Sequence, residues 1–289
     1  MCFGLGDRHL AVSTRALPLA TRLALAARRA GVWPLMMGVI ALFVALPVLT
    51  VLVQLFMPAG DVWSHLASTV LPRYLLNTAG LALGVGVGVL VIGVGSAWLV
   101  VMCRFPGQRI FEWALLLPLA VPTYVIAYAY TDFLQFAGPL QTLLRETFGW
   151  AAGDYWFPPV RSLGGAITLL TLVLYPYVYL LTRAAFLEQS VCVLEVGRTL
   201  GRGPWRLFGT IAIPLARPAI AGGTALALME TLNEFWAVQF FAVDTFTTGI
   251  YRTWFGLGER TAAAHLAGAL LVFVLLLLLL ERVSRARSQ

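Results

Sequence analysis

Apolar residues are gathered into six blocks, 33–57, 75–103, 110–131, 163–187, 218–242 and 263–280, separated by shorter polar segments. Each approaches or exceeds the roughly 20 residues a helix needs to cross a bilayer. None shows the polar face that a helix on a soluble core would keep toward water. The pattern predicts an all-α integral membrane protein with six transmembrane helices. A first helix, 33–57, stands ahead of a transmembrane domain over 75–281, with polar ends at 1–32 and 282–289. Pro118, Pro122 and Pro176 lie inside blocks and predict bends, because proline removes a backbone donor. Within the second block Gly80, Gly84 and Gly88 recur every fourth residue, a spacing that lets another helix approach closely.

Composition agrees with the pattern. Hydrophobic residues make up 60% of the 289 and charged ones 11%, against about 25% charged in a soluble domain. The net charge of +7 follows topology and is no signal for nucleic acid. All 20 basic residues are arginine, and with a cytoplasmic N-terminus 15 of the 20 fall on the inner side. The positive-inside rule therefore places both termini in the cytoplasm. The polar lead of 1–32 and the long apolar block after it do not fit a cleavable signal.

Absences narrow the chemistry. A chain without lysine has no phosphate-binding loop of the GxxxxGK[ST] type and no Schiff-base nucleophile. No serine sits in a G-x-S-x-G elbow. The glycine run in the second block lies in an apolar span and is not a dinucleotide fingerprint. Cys2, Cys103 and Cys192 all map to the inner side, which argues against a disulfide framework. His9, His65 and His265 are scattered. No catalytic centre, cofactor or certain metal site is expected.

The polar segment 188–217 interrupts the apolar pattern most sharply. Residues 189–200 predict a short helix that Gly201 ends in a left-handed cap. Gly203 and Pro204 then predict the start of a second short helix, ended by Pro214. Glu195, Arg198, Arg202 and Arg206 on such a helical knob suit a protein–protein contact; a solvated loop whose arginines only set topology is the alternative reading.

Residues 194–220, LEVGRTLGRGPWRLFGTIAIPLARPAI, resemble the cytoplasmic loop signature of ABC-importer permeases. Glu195, Gly201, Ile211 and Pro214 match its key positions. Val196-Gly197 replaces the usual pair of alanines, and Ile213 a leucine. Segments 121–150, 155–189 and 229–258 further resemble the ferric-iron branch, whose members carry two six-helix halves; the chain resembles the first half. The resemblance implies the type I importer permease fold in a bacterial inner membrane. It implies docking of a separate cytoplasmic ABC ATPase dimer at Glu195, Arg198, Gly201, Arg202 and Pro214. Its further partners would be a second permease half or second copy, a periplasmic substrate-binding protein and the surrounding lipid.

Glu230 and Glu234 are the sharpest polar residues inside the blocks. Counted from Pro218, Glu230 falls about 18 Å into the fifth block, near its middle, and an i, i+4 pair shares one helix face. Carboxylates at that depth normally face a cavity, a partner or a pathway. With Tyr128 and Tyr175 as oxygen-bearing companions they are candidates for a cation path. The other readings are inter-subunit pairing for the glutamates and interfacial anchoring for the tyrosines. An ion-coupled carrier, an inactive half-permease, and cargo such as thiamine, polyamine or phosphonate remain open alternatives.

Overall fold

The computed structural model describes residues 32–58, 60–151, 153–189 and 203–286. Among them there is helix and no strand. The chain divides into two compact units, 1–57 and 58–289.

The described part of the first unit is one helix, α1 (Trp33–Gln54), apolar all round. None of its residues is buried within the chain. Pro47 sits inside it, and the hydroxyl of Thr50 donates to the Pro47 carbonyl.

The second unit begins with α2 (Gly60–Thr69) and α3 (Leu71–Met102). At 32 residues α3 is about 48 Å long, more than a bilayer's hydrocarbon requires. It packs against α7 (Leu163–Glu188), and α9 (Ile213–Asn233) packs against both. Val85, Val89, Ala97, Val178, Phe186 and Ala227 are central to the resulting core. The glycine spacing in α3 does what its pattern predicts. A Cβ on Gly84 would come within 2.6 Å of Ile167, and one on Gly88 within 2.5 Å of Thr171. One on Gly80 would rest at 3.4 Å from Leu163. Leu163, Ile167 and Thr171 are themselves four apart, so each side chain of α7 enters the gap left by one glycine. Gly223 of α9 repeats the device against the Val178 backbone, 2.8 Å from a Cβ added there.

Among the described residues five helices are long and apolar enough to cross a membrane, and a bent pair makes six if it is one span. The block expected as one span over 110–131 is broken. α4 (Gln108–Ala114) runs into a 3-10 turn (Leu117–Ala120), and α5 (Thr123–Leu134) leaves at 98° before α6 (Pro139–Phe148). Pro122 forces the break: it has no N–H to continue the ladder, and it drives Val121 into extended backbone (φ −112, ψ 129). Pro176, by contrast, is accommodated inside the continuous α7.

The fifth span also departs from expectation. Pro214 does not end the second helix of the polar segment. α8 (Pro204–Leu207) passes through a π-helical turn (Phe208–Ala212) straight into α9, with Pro214 in the first turn of α9. A wide turn leading into a first-turn proline needs no donor from that proline. At its other end α9 stops at Asn233 instead of reaching 242, because Glu234 is extended (φ −66, ψ 124). The short α10 (Trp236–Phe240) and α11 (Phe246–Tyr251) follow, and after a π turn the chain closes with α12 (Arg260–Ala286).

Asp244, between α10 and α11, joins these pieces to the start of α3. Its carboxylate pairs with Arg73 at 3.1 Å and with Arg252 at 2.5 Å, and its carbonyl accepts from Asn77. A small second cluster of Tyr74, Phe246 and Leu266 packs beneath that knot.

Candidate functional site

The early end of α9 separates Glu230 from Glu234. They do not share a helix face, since Glu234 already lies past the last helical residue. Nor is Glu230 at mid-helix: α9 begins well before Pro218, and Glu230 stands three residues from its C-terminal end.

Glu234 is half-buried and engaged locally. Its Oε1 accepts the Ala237 N–H at 2.9 Å, so it caps the start of α10, and its own carbonyl accepts the Thr247 hydroxyl at 2.9 Å. An orphan donor at a helix start is satisfied by such an acceptor. The segment between α9 and α11 is thereby fixed by polar bonds to Glu234 at both its side chain and its backbone.

Glu230 is exposed and opens on a cavity of about 250 Å³. The broken third span, residues 118–123, forms one wall, and Val173, Leu174 and Tyr177 of α7 line another. Among the lining residues Glu230 alone is charged. At the break the first N–H groups of α5 have no intrahelical acceptor, and Pro122 cannot donate to the turn before it. The cavity is thus lined by one carboxylate residue, Glu230, with Tyr177 and Thr123 beside it in an otherwise apolar wall.

The tyrosines divide. Tyr128 is exposed, with its ring 5.9 Å from that of Phe240. Tyr175 is buried, and its hydroxyl donates to the Leu115 carbonyl at 2.9 Å. Tyr179, one turn on, donates to the Glu112 carbonyl at 3.1 Å. Both carbonyls lie where α4 gives way to the 3-10 turn, so the tyrosines satisfy backbone acceptors that a broken helix leaves open. Tyr177 is the tyrosine of α7 that lines the cavity, in place of the expected Tyr175.

Sequence reading gave no role to Glu112 or Arg183, which form an ion pair. The spacing of Tyr175, Tyr179 and Arg183, four residues apart twice over, was the available signal. Another cavity, about 450 Å³, is lined mainly by apolar residues of α5, α7 and the 157–160 segment.

Of the expected docking residues, Glu195, Arg198, Gly201 and Arg202 lie outside the described residues. Pro214 is described above. The two flanks of that segment meet: Gln189, just after α7, donates its side-chain N–H to the Ala212 carbonyl at 3.0 Å. Among the described residues no group of three or more His, Cys, Asp or Glu side chains is placed to hold a metal.

Comparison with known proteins follows this architecture. The chain is 31% identical over 206 residues to the molybdenum transport system permease protein ModB of Escherichia coli, covering 68% of this chain and 87% of that one. It is 30% identical over 220 residues to a putative 2-aminoethylphosphonate transport system permease protein of Salmonella choleraesuis, covering 74% and 75%. To the Fe(3+)-transport system permease protein FbpB 2 of Haemophilus influenzae it is 28% identical over 214 residues, 74% of this chain but 38% of that one. The fold is shared with a bacterial alginate ABC transporter, at TM-score 0.73 and 16% identity over 91% of this chain and 96% of that chain. It is shared less closely with the MetNI methionine ABC transporter, at TM-score 0.53 and 19% identity over 74% and 94%. Residues 89–286, which take in α7, the polar segment, α9 and the Glu230 cavity, match one family throughout. The chain is a multi-pass membrane permease belonging to the binding-protein-dependent transport system inner membrane component family.

Proposed function

We propose that this chain forms half of the translocation pore of an ATP-driven importer, paired with a second copy or a second permease chain. A cytoplasmic ATPase dimer docks on the 188–217 segment through Glu195, Arg198, Gly201 and Arg202, and a periplasmic binding protein delivers the cargo. Both termini are cytoplasmic, in a bacterial inner membrane. ATP binding closes the ATPase dimer, the docking segment moves with it, and the spans rock between outward and inward openings. The observation that carries this reading is the family match across 89–286, which includes the docking segment.

The proposed cargo is ferric iron. The resemblance of three long segments supports it, and so does the oxygen chemistry of Glu230 and Tyr177, which suits a hard cation. A second reading, an oxyanion of molybdenum or a phosphonate, is favoured by the higher identities and fuller coverage of those relatives.

One reconstitution tests both levels. The full chain would be co-expressed with candidate ATPase and binding-protein subunits, purified, and placed in proteoliposomes. Co-purification of the ATPase, lost on Gly201→Trp, supports the docking segment. Uptake of iron from a ferric-loaded binding protein, reduced about tenfold by Glu230→Gln, supports the cation path. Uptake of labelled molybdate in place of iron favours the second reading. Uptake that persists without the ATPase would sink the importer reading in favour of an ion-coupled carrier.

A further inference from the structure

One stripe of α7 holds one edge of the broken span. Tyr175, Tyr179 and Arg183 follow one another at four-residue steps and therefore share a helix face. All three end on α4 or the residue after it: Tyr175 on the Leu115 carbonyl, Tyr179 on the Glu112 carbonyl, Arg183 on the Glu112 carboxylate. Glu112 is thus gripped twice, at its backbone and at its side chain. The ion pair is partly shielded, with the two side chains 26% and 29% exposed. The Arg183 Nε finds no acceptor among the described residues, so the pairing with Glu112 is the guanidinium's described polar tie.

What lies at each end of the stripe gives it direction. Five residues beyond Glu112 the chain enters the 3-10 turn, and residues 118–123 then form a wall of the Glu230 cavity. Five residues beyond Arg183 α7 ends, and Gln189 fastens to Ala212 at the base of the polar segment. A continuous helix joins the two, and a rigid element with discrete polar attachments is the physical means by which displacement at one site reaches another.

We propose that Tyr175, Tyr179 and Arg183 are positioning residues that carry movement of the 188–217 segment to the cavity wall, with Glu112 as the residue they move. The proposal rests on the importer reading above. A static strut would make the same bonds, so the decisive quantity is cargo imported per ATP hydrolysed.

The test uses the full chain in proteoliposomes with its ATPase and ferric-loaded binding protein, comparing wild type with Glu112→Gln, Arg183→Gln, Tyr179→Phe and the exchange Glu112→Arg/Arg183→Glu. Expected is assembly with the ATPase, hydrolysis near the wild-type rate, and cargo per ATP about tenfold lower in the two charge-removing variants. The exchange recovers most of that loss, and Tyr179→Phe lowers the ratio about twofold. An unchanged ratio across the assembled variants overturns the proposal. So does a parallel fall in hydrolysis and uptake that the exchange does not reverse. Where the charged variants fail to assemble, Tyr179→Phe decides by the same ratio, since it removes one hydroxyl and no charge. Absence of ATP-dependent uptake by the wild type, both of iron and of labelled molybdate with its binding protein, overturns the importer reading itself, and is read before any variant is compared.

Discussion

α7 meets its neighbours in two different ways. Toward α3 it sends Ile167 and Thr171 into gaps opened by Gly84 and Gly88, and along α9 its backbone at Val178 lies against Gly223. Toward α4 it offers two phenols to carbonyls of a backbone that has lost its own ladder, and a guanidinium to the Glu112 carboxylate. The first contact is held by shape. Lipid tails are as apolar as the side chains, so close approach and dispersion must supply the attraction between helices. The second is held by polar bonds, whose strength comes from the cost of leaving carbonyls unpaired where water is scarce. Shape suits the parts of a transporter that stay together, and polar bonds on a broken helix suit the part that borders its cavity.

Substitutions separate the two contacts, and unfolding in detergent followed by tryptophan fluorescence reads each one. Gly223→Val has the largest expected effect, a loss of about 3 kcal/mol or failure to fold, because the new Cβ meets backbone that cannot turn aside. Gly84→Ala meets the Ile167 side chain and no backbone, and should cost about 1–2 kcal/mol. Combining it with Ile167→Val should recover part of that loss, and strict additivity would show that the two residues do not share the gap. Tyr179→Phe leaves the packing and removes one hydroxyl, for a loss of about 1 kcal/mol. Gly95→Ala, with nothing within 4 Å of its Cβ, should stay within about 0.5 kcal/mol of wild type. A large loss at Gly95 would mean that a glycine in α3 matters without any neighbour interlocking with it.

The same contrast explains what could be read from sequence. Apolar blocks and the four-residue glycine spacing report on shape and burial, which are properties of local composition, so most spans and a close helix approach at α3 were legible, though not that α7 makes it. The break at 121–122 was only half legible. Pro118 and Pro122 announced a bend, but nothing apolar in 110–131 distinguishes a bend from a 98° change of direction. The end of α9 was hidden for a similar reason: the residues after Glu234 remain apolar, and the helix stops because a carboxylate caps the next one. Pro214 misled because a proline ends a helix or begins one depending on the turn before it, and the π turn at 208–212 is not written in any residue pattern. Glu230 was found as a buried-block carboxylate; its cavity was not, since the facing wall comes from residues more than a hundred positions earlier.

The bond from Gln189 to Ala212 closes the polar segment at its root. For a peptide whose two ends are already joined, doubling its length changes the closure entropy by only about 0.6 kcal/mol. If the segment docks the ATPase as proposed, a graft between Gln189 and Pro204 would redirect the permease to another ATPase while leaving Leu207 and Phe208 packed in the core.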